Sequence, residues 1–157
     1  VMARGLDMQR KLSMDFEKRR VNKRYTAVVA GALANPDPHN GWQTIDLPLM
    51  IDWLNRPLSI VHPRNGRPSV TRWRLMAEDQ ARHAGLATRL ELEPVTGRTH
   101  QLRVHLQAIG HPIVGDPLYA SEAQRAMADR LLLHAGWLEL PHPVTGQPIA
   151  FSSPCPF

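Results

Sequence analysis

Arg98, His100, Gln101, Arg103 and His105 fall within one eight-residue stretch. So dense a set of cations and hydrogen-bonding side chains points to an anion or a nucleobase as ligand. The turn residues Thr96-Gly97 release the stretch. Leu102, Leu106 and Ile109 follow at helical spacing, and Gly110-His111-Pro112 stops the helix. A helix that opens this way already favours negative charge at its N-terminus, through unpaired N–H groups and its dipole. The two arginines carry different expectations. Arg98 follows the Gly97 turn and is placed for a phosphate or a base edge. Arg103 sits among Leu102, Val104 and Leu106 and must be paired, because an unpaired buried charge is very costly. Glu91 and Glu93 are its structural candidates.

Two other groups of residues admit chemistry. Lys18-Arg19-Arg20 and Lys23-Arg24 place five cations in seven residues, enough to steer a phosphate backbone. The same cations also suit the C-terminal turn of a helix, and both readings stand. Tyr25 opens a strand, where a tyrosine usually serves as half-buried packing. His100, His105, His111 and His134 invite a metal reading, but a spacing of five puts His100 and His105 on different helical faces. There is no HExxH pattern and no assisting cysteine, so neither metal nor cofactor is expected. Asp116, in Gly115-Asp-Pro-Leu-Tyr119, has the setting of a turn. Gly-rich phosphate loops and a GxSxG elbow do not occur in the sequence.

These residues need a scaffold. Residues 6–20 read as a helix, with Met8, Leu12 and Phe16 at i, i+4 and i+8. Strands are expected at Arg24–Gly31, Trp42–Leu47, Ser69–Ala77, Leu86–Glu93, Leu131–Leu140 and Ile149–Ser152, and a small helix near Glu122–Ala128. Asn35–Gly41 and Glu78–Gly85 read as turns, and the Pro- and Asn-rich Pro48–Gly66 as irregular. Strands outnumber helices and adjoin one another, which predicts an α+β class with a mixed, largely antiparallel sheet and flanking helices.

At 157 residues the chain is one domain. Its 43% apolar content is ordinary, and no apolar run approaches the ~20 residues of a membrane span. Charges throughout residues 1–20 argue against a signal peptide. One cysteine, Cys155, excludes an internal disulfide and suits a reducing cytoplasm. A net charge of +5 favours a polyanionic partner. The opening Val1-Met2-Ala3 reads as the continuation of something longer.

The segment Gly97-Arg-Thr-His-Gln-Leu-Arg-Val-His-Leu106, with Gly110-His-Pro-Ile-Val-Gly-Asp-Pro-Leu-Tyr119, resembles the "GRTHQIRVHL…GHPIxGDxxY" signature of the RluA family of RNA pseudouridine synthases. Lys23-Arg-Tyr-Thr-Ala-Val-Val29 is similar to the Lys-x-Tyr-x-Ala-x-Val motif of the same family. The resemblance runs from residue 1 to residue 157 and implies the C-terminal portion of a pseudouridine synthase catalytic domain. The Asp52-Trp…Asn55-Arg-Pro57 loop looks most like the branch acting on 23S rRNA and a tRNA anticodon arm. By resemblance, Tyr25 lies against a flipped uridine and Arg103 pairs with the nucleophilic aspartate. Arg98, Thr99, His100, Gln101, Lys23 and Arg24 would contact RNA, and Leu131–Ala135 would line the cleft from below. No cofactor, metal or membrane is implied. The family's HRLDxxTSG segment, which carries the nucleophile, does not occur in these residues, and alignment places it just before Val1. Arg103 would then lack its partner, and the alternative to a synthase is a catalytically inactive RNA-binding fragment of one.

Overall fold

The structure is a computed structural model and describes residues 1–34, 41–76 and 86–157. Most of the turns expected at Asn35–Gly41 and Glu78–Gly85 lie outside the described residues.

Val28 and Val29, with their alanine neighbours, are β-branched or small, and they form the buried end of β1 (Asn22–Ala30). β1 is the centre of a six-stranded sheet. It pairs on one side with β6 (Ala87–Pro94) and on the other with β7 (Leu133–Pro141). β5 (Val70–Leu75) and β2 (Gln43–Asp46) extend the β6 side, and β8 (Pro148–Ser152) extends the β7 side. Every pairing between these strands is antiparallel. The α+β expectation therefore holds, with the sheet at the antiparallel end of it.

Alternation in β6 sorts its side chains. Leu90 and Leu92 are fully buried, while Glu91 and Glu93 point to the other face. The leucine face joins Ala27, Val29, Ile45 and Trp73, and the helix α2 (Gln101–Ala108) covers it with Leu102 and Leu106. Each fully buried leucine contributes roughly 1.5–3 kcal/mol by removal from water. α2 thus lies on the sheet with its N-terminal end directed toward the Thr96–Arg98 turn. A second, smaller core forms where Leu12 of α1 (Leu6–Glu17) packs on Val21 and Leu140.

Four elements differ from expectation. α1 stops at Glu17 rather than at residue 20, because Arg19 takes a left-handed φ of 57°. Arg20 N–H then bonds to the Asp15 carbonyl and Arg19 N–H to that of Phe16, a Schellman-type closure. Phe16, in the last turn of α1, is 45% exposed and lies outside the core built on Leu12. Pro48–Gly66 is not irregular: it holds a hairpin of β3 (Leu49–Ile51) and β4 (Ser59–Val61), strands too short to show alternation. The third helix, α3 (Glu122–Arg125), is a single turn closed by a Ser121–Gln124 capping box. It ends early because the Gln124 carbonyl accepts from Gly115 N–H instead of continuing the helix. Gly115 itself has φ 74°, and a Cβ there would collide with the Arg130 carbonyl. Finally, α2 begins at Gln101, so Arg98 and His100 precede the helix.

Candidate active site

The turn before α2 is held from below by one side chain. Gln101 is 4% exposed and its amide meets four partners. Its Oε1 accepts from the Thr96 hydroxyl at 2.7 Å and from Arg98 N–H at 3.0 Å. Its Nε2 donates to the Val70 carbonyl at 2.9 Å and to Thr71 Oγ1 at 3.0 Å. Thr96 Oγ1 in turn accepts from Val70 N–H at 2.9 Å. The turn is thereby pinned to β5. Gln101 was expected to face RNA, and the structure corrects this: its amide is spent inside the protein, positioning Arg98 and leaving Thr99 exposed.

The polar chain continues into the core through His105, which is fully buried. Its Nε2 faces the Leu47 carbonyl at 3.0 Å and must donate. Its Nδ1 lies 2.9 Å from Thr71 Oγ1, and in the neutral ring with the proton on Nε2 it accepts from that hydroxyl. Burial holds its pKa below the ordinary 6.5. The unfolded chain therefore takes up a proton that the folded one refuses, so stability is complete above about pH 6.5 and declines as the pH falls below it. Urea unfolding followed from about pH 7 to about pH 5 should show that decline, with a slope of up to ~1.4 kcal/mol per pH unit for the one proton. His105→Gln should flatten the profile; an unchanged slope would place its origin elsewhere.

His100 adopts the left-handed conformation, φ 55° and ψ 20°, uncommon for a side chain with a Cβ and found where surrounding bonds enforce it. Its Nδ1 lies 2.8 Å from the Tyr119 hydroxyl. That hydroxyl accepts from Ser59 N–H at 2.9 Å, and the tautomer of His100 sets the direction of its second bond. Tyr119 therefore ties the β3–β4 hairpin to the start of α2. Burial, and then the Arg103 charge, keep His100 below its usual pKa against the opposing pull of Asp116.

Arg103 lies beneath this link, its guanidinium 4.9 Å from the Tyr119 ring centre. It makes a fork to Asp116, with Nε–Oδ2 at 2.8 Å and Nη2–Oδ1 at 2.6 Å. Neither Glu91 nor Glu93 is its partner, and Arg103 is not left unpaired. Asp116 is fully buried and also accepts the Leu118 and Tyr119 N–H groups, so the expected turn is present as well. Burial alone would raise its pKa. The Arg103 bonds and charge, with the two amides, outweigh it and hold the carboxylate below the usual range. Two of the five N–H donors of Arg103 are used in this fork, and the residue borders a cavity of about 600 Å³ with Arg125, Arg130 and Leu131.

On the other side of the Gly97 turn, Lys23 and Arg98 share the wall of a second cavity, about 420 Å³, with Phe16 and Arg19. Burial lowers the pKa of Lys23. Tyr25, opposite Leu92 in the register, packs half-buried against the core, which raises its phenol pKa. Arg24, one residue away, points to the opposite face. There it lies 3.2 Å from Glu93 and 4.8 Å from the Trp42 ring centre, beside Arg72 and Arg74, which lie over the same ring. It was expected beside Lys23 as an RNA contact, and strand parity separates the two. The other two histidines that invited a metal reading have backbone partners: His111 Nδ1 lies 2.9 Å from the Ala30 carbonyl, and His134 Nε2 lies 3.0 Å from that of Ser153. Sequence reasoning gave no role to Ser59, Thr71 or Tyr119, and only the Gly-Asp-Pro-Leu-Tyr motif pointed to the last of them.

With this geometry in place, comparison with known proteins decides the family. A family model described as RNA pseudouridylate synthase matches residues 1–108. The chain belongs to the RNA pseudouridylate synthase family. Its relatives include proteins named dual-specificity RNA pseudouridine synthase RluA. The one from Escherichia coli is 44% identical over 149 residues, covering 95% of this chain and 64% of the relative. The one from Haemophilus influenzae is 38% identical over 157 residues, covering all of this chain and 68% of the relative. Among solved structures, human RNA pseudouridylate synthase domain containing 1 superposes with a TM-score of 0.77 at 30% identity, covering 94% of this chain and 60% of that one. Human RNA pseudouridylate synthase domain containing 4, at 23% identity and a TM-score of 0.70, shares the fold. The chain spans somewhat under two thirds of the length of this Escherichia coli relative. Among the described residues, no helix is long and apolar enough to cross a membrane.

Proposed function

We propose that this chain forms the RNA-facing portion of a pseudouridine synthase that isomerises uridine in ribosomal RNA, tRNA or both. The observation that carries the reading is the Gln101-anchored turn. A buried polar network holds Arg98 beside Lys23, on a chain matched by the RNA pseudouridylate synthase family. In this reading the uridine leaves its stack at a cost of a few kcal/mol and enters the cleft, with Tyr25 against the base. A carboxylate acts as nucleophile and the glycosidic bond breaks. The uracil turns, C5 displaces the carboxylate from the ribose C1′, and the C5 proton is removed as N1 takes one up. In this reading an aspartate in a His-Arg-Leu-Asp segment, as in the family that the chain resembles, supplies that carboxylate. It draws on Arg103 N–H donors beyond those committed to Asp116, so one guanidinium serves a structural and a reacting carboxylate together.

Tritium release from RNA containing 5-tritiated uridine tests the reading, with ribosomal and anticodon stem-loops as substrates. The chain extended by a His-Arg-Leu-Asp segment should release tritium, and Arg103→Lys should lower that release sharply because the fork geometry is lost. Stem-loop binding without release by the extended protein would leave the inactive RNA-binding fragment as the answer. Neither binding nor release would overturn the reading altogether.

A further inference from the structure

The Asp52–Leu58 loop of the β3–β4 hairpin takes no part in the chemistry described so far, yet it is a built feature. The Asp52 carboxylate accepts from Leu54 N–H at 3.1 Å, from Asn55 N–H at 3.2 Å and from the Asn55 amide at 2.9 Å. The loop closes on itself through Asp52 N–H to the Leu58 carbonyl and Leu58 N–H to that of Asn55. Its base is bolted to the signature helix by the Ser59–Tyr119–His100 link. This scaffold displays apolar surface to water: Trp53 is 63% exposed and Leu54 95%. Packing does not account for so exposed an indole on so well-bonded a loop, and an exposed apolar patch of this kind is typical of a contact surface.

Chemistry around the indole narrows the occupant. The Arg56 guanidinium stacks over the ring, 3.9 Å from its centre, which orients it. Trp53 borders a cavity of about 410 Å³ whose polar wall is Arg98, Thr99, Asn65 and Arg67. A flat aromatic surface, two cations and an amide beside a hydroxyl complement a planar heterocycle with a phosphate and hydrogen-bonding edges. The cavity also shares Gly97 and Arg98 with the Lys23 cavity, so the two lie on either side of one turn.

We propose that this hairpin cavity holds a second unstacked nucleotide of the RNA, a neighbour of the modified uridine, with its base on Trp53 and its phosphate between Arg67 and Arg98. The proposal rests on the synthase reading above. It assigns Trp53 and Arg67 to substrate selection, since an RNA that cannot unstack a nucleotide at this distance from the target loses the contact.

Filter binding of an anticodon stem-loop RNA tests it. Trp53→Ala should weaken binding about 10- to 100-fold, the usual effect of losing one base–aromatic stack, and Trp53→Phe should restore most of it. Because Trp53 is largely exposed, the Trp53→Ala melting temperature should match that of the original protein. Arg67→Ala should lower the salt slope of binding by about one, whereas Trp53→Ala leaves that slope unchanged. Equal affinity of the Trp53→Ala and original proteins, on an RNA that the original binds, overturns the nucleotide subsite alone. Failure of the original protein to bind any stem-loop overturns the synthase reading, and the subsite falls with it.

Discussion

Asp116→Ala is expected to destabilise the protein by about 3–5 kcal/mol, enough to unfold much of a domain with a typical 5–15 kcal/mol in hand. The reason is asymmetry. Asp116 is fully buried and the Arg103 side chain is 12% exposed, so removing the carboxylate strands a guanidinium that water barely reaches. The Leu118 and Tyr119 N–H groups lose their acceptor in the same step. Tyr119 would then be freed to move, and with it the link to His100 and Ser59. Asp116→Asn keeps an acceptor for the two amides and should cost less. Pairing it with Arg103→Met removes the stranded charge, and that double variant should be more stable than Asp116→Ala alone. Urea unfolding at neutral pH measures all three. The carboxylate is held below its ordinary pKa, so its contribution is complete above that value and is lost as the pH falls through the folded-state pKa. The gap between Asp116→Ala and the original protein should therefore close in strong acid. A loss under about 1 kcal/mol at neutral pH would mean that water solvates the guanidinium, contrary to its burial here.

How far such a site is legible in sequence depends on what each residue's partner is. Leu90 and Leu92 alternate with Glu91 and Glu93, and that pattern alone places β6 and its core face. Leu102 and Leu106 likewise place α2, because local periodicity reports local structure. The hairpin at 49–61 escaped, since strands of three residues among prolines leave no period to read. The start of α2 was placed too early because nothing in Arg98-Thr99-His100 announces a left-handed residue. Partners distant in sequence escaped altogether. Arg103 had to be paired, yet Asp116 lies thirteen residues on, beyond any helical period, and the nearer acids were the obvious candidates. Arg24 and Lys23 look alike in sequence, but one residue of strand parity puts Arg24 among Glu91, Glu93 and Trp42. Residue type is visible in the chain; which face and which partner it takes is decided by register.

Gln101 shows the same principle with a larger consequence. Read as a type, a glutamine between His100 and Leu102 belongs on the surface. In the fold it is a buried hub, and Gln101→Leu should cost about 3 kcal/mol or more. Leucine nearly matches its volume, so packing is spared and the loss is polar. The Val70 carbonyl, Arg98 N–H and the Thr96 hydroxyl each lose a partner, in a place that water does not readily enter. Gln101→Glu separates the two halves of the hub. Its oxygens can still accept from Thr96 and Arg98, but an ionised carboxylate would oppose the Val70 carbonyl. The proton is therefore retained, with a folded-state pKa above the unfolded one, so this variant should gain stability as the pH falls. That is the opposite sign to the His105-driven trend of the original protein in the same pH range. Hydrogen exchange at Arg98 N–H should rise in Gln101→Leu as the turn loosens, and rise far less in Gln101→Glu, which keeps its acceptor. Stem-loop RNA binding by Gln101→Leu, at a temperature where the variant remains folded, then decides what the hub is for. Weaker binding means that RNA reads the arrangement of Arg98 and Thr99 that Gln101 enforces. Unchanged binding, with Arg98 N–H unprotected, would mean that RNA itself orders the turn, and the preorganised site argued here would be wrong.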